Sequence, residues 1–245
     1  FDMDSLESAM EGIDLIIHAA GKVSFDANDG DSLDHINVGG TTNLVNAMLN
    51  VGAKKLVHIS SVAAIGRSPE LAILDEKYKW VESPLNTDYG ISKYLAELEA
   101  WRGEQEGIDL IVVNPSILLG KVTDERSSSD IYVRDAASQV RQLVEKDAWG
   151  ERFILNKERI SYKEFFERMA AAFGKKAPNK SVSPLMLHVA VFFNTIFRRI
   201  GMSKSPLNKK TAMISQQKVF FDNSKVNKLL KPNYFTLDET LDWSK

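Results

Sequence analysis

Tyr89 and Lys93, in the stretch YGISK (89–93), set a phenol and an ammonium four residues apart, one turn if that stretch is helical. Such a pair can move a proton if the phenol's ordinary pKa of about 10 falls toward neutrality. A fall of three units is worth about 4 kcal/mol, which a neighbouring cation in a water-poor site helps to supply. Spacing alone proves little: six tyrosines and 21 lysines among 245 residues give about 0.5 such pairs by chance. The surroundings must decide. The serines of HISS (58–61) close an apolar run, where a hydroxyl at a strand end can hydrogen-bond a reacting oxygen.

The first half alternates the elements that would position these groups. DLIIHAAG (14–21), KLVHISS (55–61) and DLIVVNPS (109–116) are short apolar runs suited to strands buried on both faces. Helical patterns lie between them at 38–50 and 88–105, and a first helix at 4–11 has Asp4 and Glu7 as an acidic capping box and Gly12 as its stop. Strands alternating with helices at this spacing predict a doubly wound α/β fold on a parallel, Rossmann-like sheet. The second half changes character, with FIL at 153–155 and a helix over 161–174 opened by a Ser161/Glu164 box. An apolar helix over 184–197 follows, then a strand and a short helix capped by Asn223/Ser224 within 218–230. The expected division is a dinucleotide-binding region over 1–120 and a smaller, mixed α/β substrate region over 121–245, some of whose segments return to the sheet.

Bulk properties exclude several classes. Net charge −2 and pI 6.2 offer no basic field for nucleic acid and no polybasic membrane signal. The absence of Cys and the four scattered His argue against disulfides and a metal site, and favour a reducing, cytoplasmic setting. PLMLHVAVFFNTIF (184–197) is 14 residues long, against roughly 20 needed to span a bilayer. It reads as a buried or pocket-lining helix, with interfacial membrane contact beside Arg198 and Arg199 as the alternative.

HAAGKVSF (18–25), NVGGTTNLV (37–45), HISSVAAIG (58–66), YGISK and VVNPSILLG (112–120) resemble, in sequence and in order, the extended short-chain dehydrogenase/reductase family. That family includes nucleotide-sugar epimerases, dihydroflavonol-type reductases and 3β-hydroxysteroid dehydrogenases. The resemblance spans 13–120 closely and 130–242 more loosely. It implies hydride chemistry with NAD or NADP, in which Ser61, Tyr89 and Lys93 are catalytic, Ser61 being chosen over Ser60 by its distance to Gly66. It also implies cofactor contacts from Ala19, Ala20, Gly21, Asn37, Ser60, Tyr89, Lys93, Val113, Pro115 and Ser116, and substrate contacts from Ser61 and Asn114. Asn37 could instead be a plain helix N-cap. The family's glycine fingerprint (G-x-G-x-x-G or G-x-x-G-x-x-G) is not found in the chain. Roughly two βαβ units, about 50–70 residues, are therefore expected ahead of Phe1, and the abrupt passage near Gly120–Ser129 suggests a missing loop. The acidic or basic residue that would separate NAD from NADP would fall in the same absent portion.

VAAIG after the serines, where epimerases show VYG, resembles the reductase/hydroxysteroid branch, as does NPSILLG. The resemblance thus implies hydroxyl/ketone interconversion on a small, apolar substrate. A sugar-nucleotide epimerase or dehydratase, or a non-catalytic dinucleotide-binding relative, remains open beside it. Ile91, Tyr94, Leu95, Leu98 and Trp101 share the helix stripe opposite Tyr89, Lys93, Ala96 and Ala100. A helix apolar on both faces is expected to be covered twice, here by a second subunit, giving a homodimer through helices 38–50 and 88–105.

Overall fold

The computed structural model describes residues 2–26, 28–68, 70, 73–116, 133–156, 162–177, 183–199, 202, 205, 212–213, 219–232, 234 and 239. Strands β1 (Leu15–His18), β2 (Lys55–Ile59), β4 (Asp109–Pro115) and β5 (Glu151–Leu155) form one parallel sheet in the order β1-β2-β4-β5. Strands β3 (Ile73–Leu74) and β6 (Phe220–Phe221) make a separate parallel pair. Helix α1 (Met3–Met10) precedes β1. Helix α2 (Gly30–Leu33) runs through a π-helical stretch, Asp34–Gly39, into α3 (Gly40–Val51). Helix α4 (Asp88–Gln105) feeds β4, and α5 (Val133–Glu145) feeds β5. The remaining helices are α6 (Tyr162–Ala172), α7 (Pro184–Arg199) and α8 (Ser224–Leu230).

Period-two alternation explains why the strands read as unbroken apolar runs. Leu56, Leu110 and Val112 face α1, α3 and α4, packing on Met10, Val45, Met48 and Ala100. Val57, Ile111 and Val113 face the other way, onto Val140, Leu143, Phe153 and Val226. Both faces are therefore core, as a parallel sheet flanked by helices requires. The register Leu56↔Leu110 and Val113↔Phe153 brings the carboxyl ends of β1, β2 and β4 to one edge, where α/β sheets bind ligands.

Several expectations need correction. Strand β1 ends at His18, so Ala19–Gly21 lie beyond it as exposed chain. Helix α1 starts before Asp4: Asp2 is at its N-cap, and the Ser5 hydroxyl donates to Asp2 Oδ2 at 2.5 Å, so the Asp4/Glu7 box does not form the start. The Asn223 side chain caps nothing, because its amide donates to the Asn156 carbonyl. Ser161 and the 120–129 passage lie outside the described residues. The largest departure is α7, expected to be buried or to line a pocket. Met186, Val189, Phe192, Phe193, Ile196 and Phe197 are all exposed, since an apolar run records what a helix could bury without saying what is there to cover it.

Candidate active site

Ser61, two residues past the end of β2, caps a 3₁₀ turn, Val62–Ile65, whose Ala63 N–H donates to Ser61 Oγ at 3.1 Å. Helix α4 is set against that turn by Gly90, where a Cβ would fall 2.9 Å from the Ala63 carbonyl oxygen. Thr87 caps the helix, accepting the Gly90 N–H at 2.8 Å. This docking brings the Tyr89 phenol beside the Ser61 side chain. Burial raises the phenol's pKa above its usual 10, and the Ser61 side chain offsets only part of that rise. Phe25 meets the Tyr89 ring edge-on, with centroids 5.9 Å apart, and is itself half exposed.

Lys93, one turn along, is buried and donates to the Ile59 carbonyl at 3.0 Å. Burial lowers its pKa to about 8, and the Glu97 carboxylate pulls in the opposite direction. Lys93 thus bonds the end of β2, while burial is the largest influence on the Tyr89 phenol. Beneath it lie His18 and His58, paired in register on adjacent strands with ring centroids 5.4 Å apart. Burial, then the Lys93 charge, lowers His18 to about 4 and holds His58 well below its ordinary value, so both rings are neutral. His18 Nε2 lies 3.2 Å from Thr41 Oγ1, whereas neither His58 nitrogen has a partner.

Asn37 is not an N-cap. It lies inside the π-helical stretch and is buried. Its Oδ1 accepts the Lys22 N–H at 2.7 Å, while Nδ2 donates to the Lys22 carbonyl at 3.0 Å and to Ser92 Oγ at 2.9 Å. Asn37 thus clips the chain after Gly21 to α4. At Gly21 a Cβ would stand 3.2 Å from Asn37 Oδ1 and 3.9 Å from Lys93 Nζ, so only glycine leaves this passage open. Ser60 is buried with an unpartnered hydroxyl, its N–H donating to the Val113 carbonyl at 2.7 Å. Val113 and Pro115 are buried within the sheet, and Ser116 is the member of that segment that reaches the surface, with Oγ 3.2 Å from Asn156 Oδ1. Asn114 is wholly buried, its amide donating to the Ser61 carbonyl at 2.9 Å and to Glu97 Oε1 at 2.5 Å. It stands as a support beneath Ser61.

The sequence reading missed Glu97 and Arg152, a buried pair in which the Arg152 guanidinium donates to Glu97 Oε2. Glu97 stands one turn after Lys93 on the buried stripe of α4, and an acid at that position was the available signal. No cluster of three or more His, Asp or Glu able to hold a metal occurs among the described residues.

A family profile described as "NAD dependent epimerase/dehydratase family" matches residues 1–152. The chain belongs to that family. Its cofactor is NAD or NADP, and the residues present suit one: a glycine passage beside an ammonium, exposed small residues after β1, and an orphan hydroxyl at Ser60. A Synechocystis protein provisionally named a dihydroflavonol 4-reductase is 29% identical over 248 residues, covering 90% of this chain and 71% of that one. The crystal structure of gox2253 superposes on the family member described here with a TM-score of 0.81 at 25% identity, over 99% of this chain and 80% of that one. The UDP-glucuronic acid 4-epimerase of Bacillus cereus, solved with NAD, shares the fold at a TM-score of 0.71 and 15% identity, over 99% and 77% of the two chains. Among the described residues no helix is long and apolar enough to cross a membrane.

Proposed function

We propose that this chain is an NAD(P)-dependent reductase that converts a ketone on a small, apolar molecule to the alcohol. The observation that carries the reading is the docking of Tyr89 beside Ser61 at the carboxyl edge of the sheet, through Gly90 packed on Ala63, with Lys93 one turn behind. A nicotinamide bound at this edge supplies the hydride. Tyr89 then gives its phenolic proton to the carbonyl oxygen, and the Ser61 hydroxyl holds that oxygen in place. Lys93, beside the Gly21 passage, would exchange its Ile59 bond for the nicotinamide ribose and steady the phenolate after transfer. Ala19, Ala20 and Gly21 would border the dinucleotide, and Asn37 keeps their chain against α4. The half-exposed Phe25 beside Tyr89 supports an apolar substrate.

The test follows loss of reduced-nicotinamide absorbance with aromatic and alicyclic ketones. Tyr89→Phe is expected to lower kcat by about 10²–10⁴-fold with cofactor affinity retained. Equal turnover by the variant, or turnover of sugar nucleotides alone, would overturn the reading. The second outcome would favour an epimerase using the same residues.

The dimer belongs to the same proposal. Ile91 and Leu98 stand exposed on the face of α4 away from Lys93, which supports a partner helix pair there. Light scattering should give twice the chain mass, and Leu98→Glu should return it to one.

A further inference from the structure

We propose that α7 seats this protein on an anionic membrane surface, lying in the interface rather than crossing it. Two independent observations meet here. The first is structural. Met186, Val189, Phe192, Phe193, Ile196 and Phe197 are each at least 40% exposed, with Phe192 at 62% and Met186 at 60%. At 100° per residue they occupy one arc of roughly 140°, while the polar Asn194 turns away from it and is buried. The helix is thus amphipathic with its apolar side outward, the reverse of a helix that packs on a core. Its 16 residues give a rod about 24 Å long, with three phenylalanines along the outward side.

The second observation is the distribution of charge. Residues 168–221 contain ten Lys and Arg and not one Asp or Glu. The rest of the chain then holds 21 cations against 33 acids, a net of −12. The small overall charge of −2 conceals this segregation, and the absence of a polybasic signal inferred from it does not hold for this segment. Arg198 and Arg199 end α7 itself, and the exposed Lys175 and Lys176 precede it in the same acid-free segment.

An outward apolar helix in an acid-free segment of the sequence fits lipid with negative headgroups: the aromatic side enters the headgroup boundary, and the segment's positive charge favours anionic over neutral lipid. A second copy of the chain fits less well, because a two-fold contact brings the same patch against itself and would oppose two acid-free segments. An apolar substrate explains the phenylalanines but not the charge.

The experiment sediments the full chain with phosphatidylcholine vesicles, with and without roughly 30% phosphatidylglycerol, at about 0.1 M and about 0.5 M salt. Binding to the anionic vesicles is expected to exceed binding to neutral ones by about tenfold or more, and to collapse at high salt. Phe192→Glu/Phe193→Glu and, separately, Arg198→Glu/Arg199→Glu should each lose it, with circular dichroism checking the fold. If either variant does not fold, the wild-type lipid and salt comparison decides by itself. Equal sedimentation with both vesicles, or none, would overturn the proposal. So would a halved mass of the phenylalanine variant by light scattering, which would identify a second copy as the occupant. A raised KM for an apolar ketone with vesicle binding unchanged would likewise overturn it, by assigning the helix to substrate.

Discussion

Lys93→Met is expected to make the protein more stable and, as a reductase, nearly inactive. Lys93 is buried, and its pKa falls from 10.5 to about 8 on folding. That drop corresponds to a penalty of about 3 kcal/mol for carrying the charge inside. Methionine keeps the length and apolar stem of lysine without the charge. The Ile59 carbonyl would lose its ammonium donor, at a cost of about 1 kcal/mol. A net gain of about 2 kcal/mol should remain at pH 7, or about 4–8 °C in melting temperature for a chain of this size. Ketone turnover should fall by at least about 10²-fold, because the group that steadies the phenolate is gone. Thermal melts and cofactor-coupled assays on the same two preparations check both halves.

The sign of the pH dependence follows from the same numbers. Below about pH 8 lysine is protonated in both folded and unfolded chains, and the native state carries the whole penalty. Between about 8 and 10.5 the unfolded chain binds more protons, so this contribution makes stability rise with pH. Above 10.5 both states are neutral and the penalty is gone. The stability gap between wild type and Lys93→Met should therefore be widest at pH 7 and close by about pH 10, as read from urea midpoints in matched buffers. A gap that widens with pH would contradict the assignment.

The second large effect concerns Glu97 and Arg152. Glu97's side chain is wholly inaccessible, and Arg152's is 19% accessible. Arg152→Met would strand the carboxylate in the core beside Asn114, a loss of about 3–5 kcal/mol, or about 6–20 °C. Glu97→Gln should cost less, since the guanidinium it abandons reaches water. The double variant Glu97→Leu/Arg152→Met should recover much of the loss, because an apolar pair of similar volume removes both charges at once. A double-mutant cycle with no coupling would show that the two side chains do not act as a unit. Glu97→Gln should also lower the pKa of Lys93 further, since that carboxylate is what opposes burial there. The pH profile of kcat/KM would register that change, while a purely structural pair would leave it unmoved.

Motif order carried most of what the chain disclosed before its coordinates. Each apolar run that became β1, β2 or β4 is bounded by small or polar residues, and the pair on α4 is one turn apart, so local rules suffice there. Nothing local says that Glu151–Leu155 lies beside β4, since parallel neighbours are joined through long crossovers. The partnership of Glu97 with Arg152, 55 residues apart, depends on that unseen pairing. Asn37 was placed near the site by resemblance, but its role as a clip to Lys22 and Ser92 appears only once α4 folds against the π-helical stretch. The two-residue strand β3 escaped notice because its partner, β6, lies almost 150 residues further on. Apolarity at 184–197 was legible, while its outward aim was not.

Strand β1 has a single neighbour among the described residues, β2, and Ile17 at its centre is 53% exposed. A further strand laid along its other side would extend the sheet and cover Ile17.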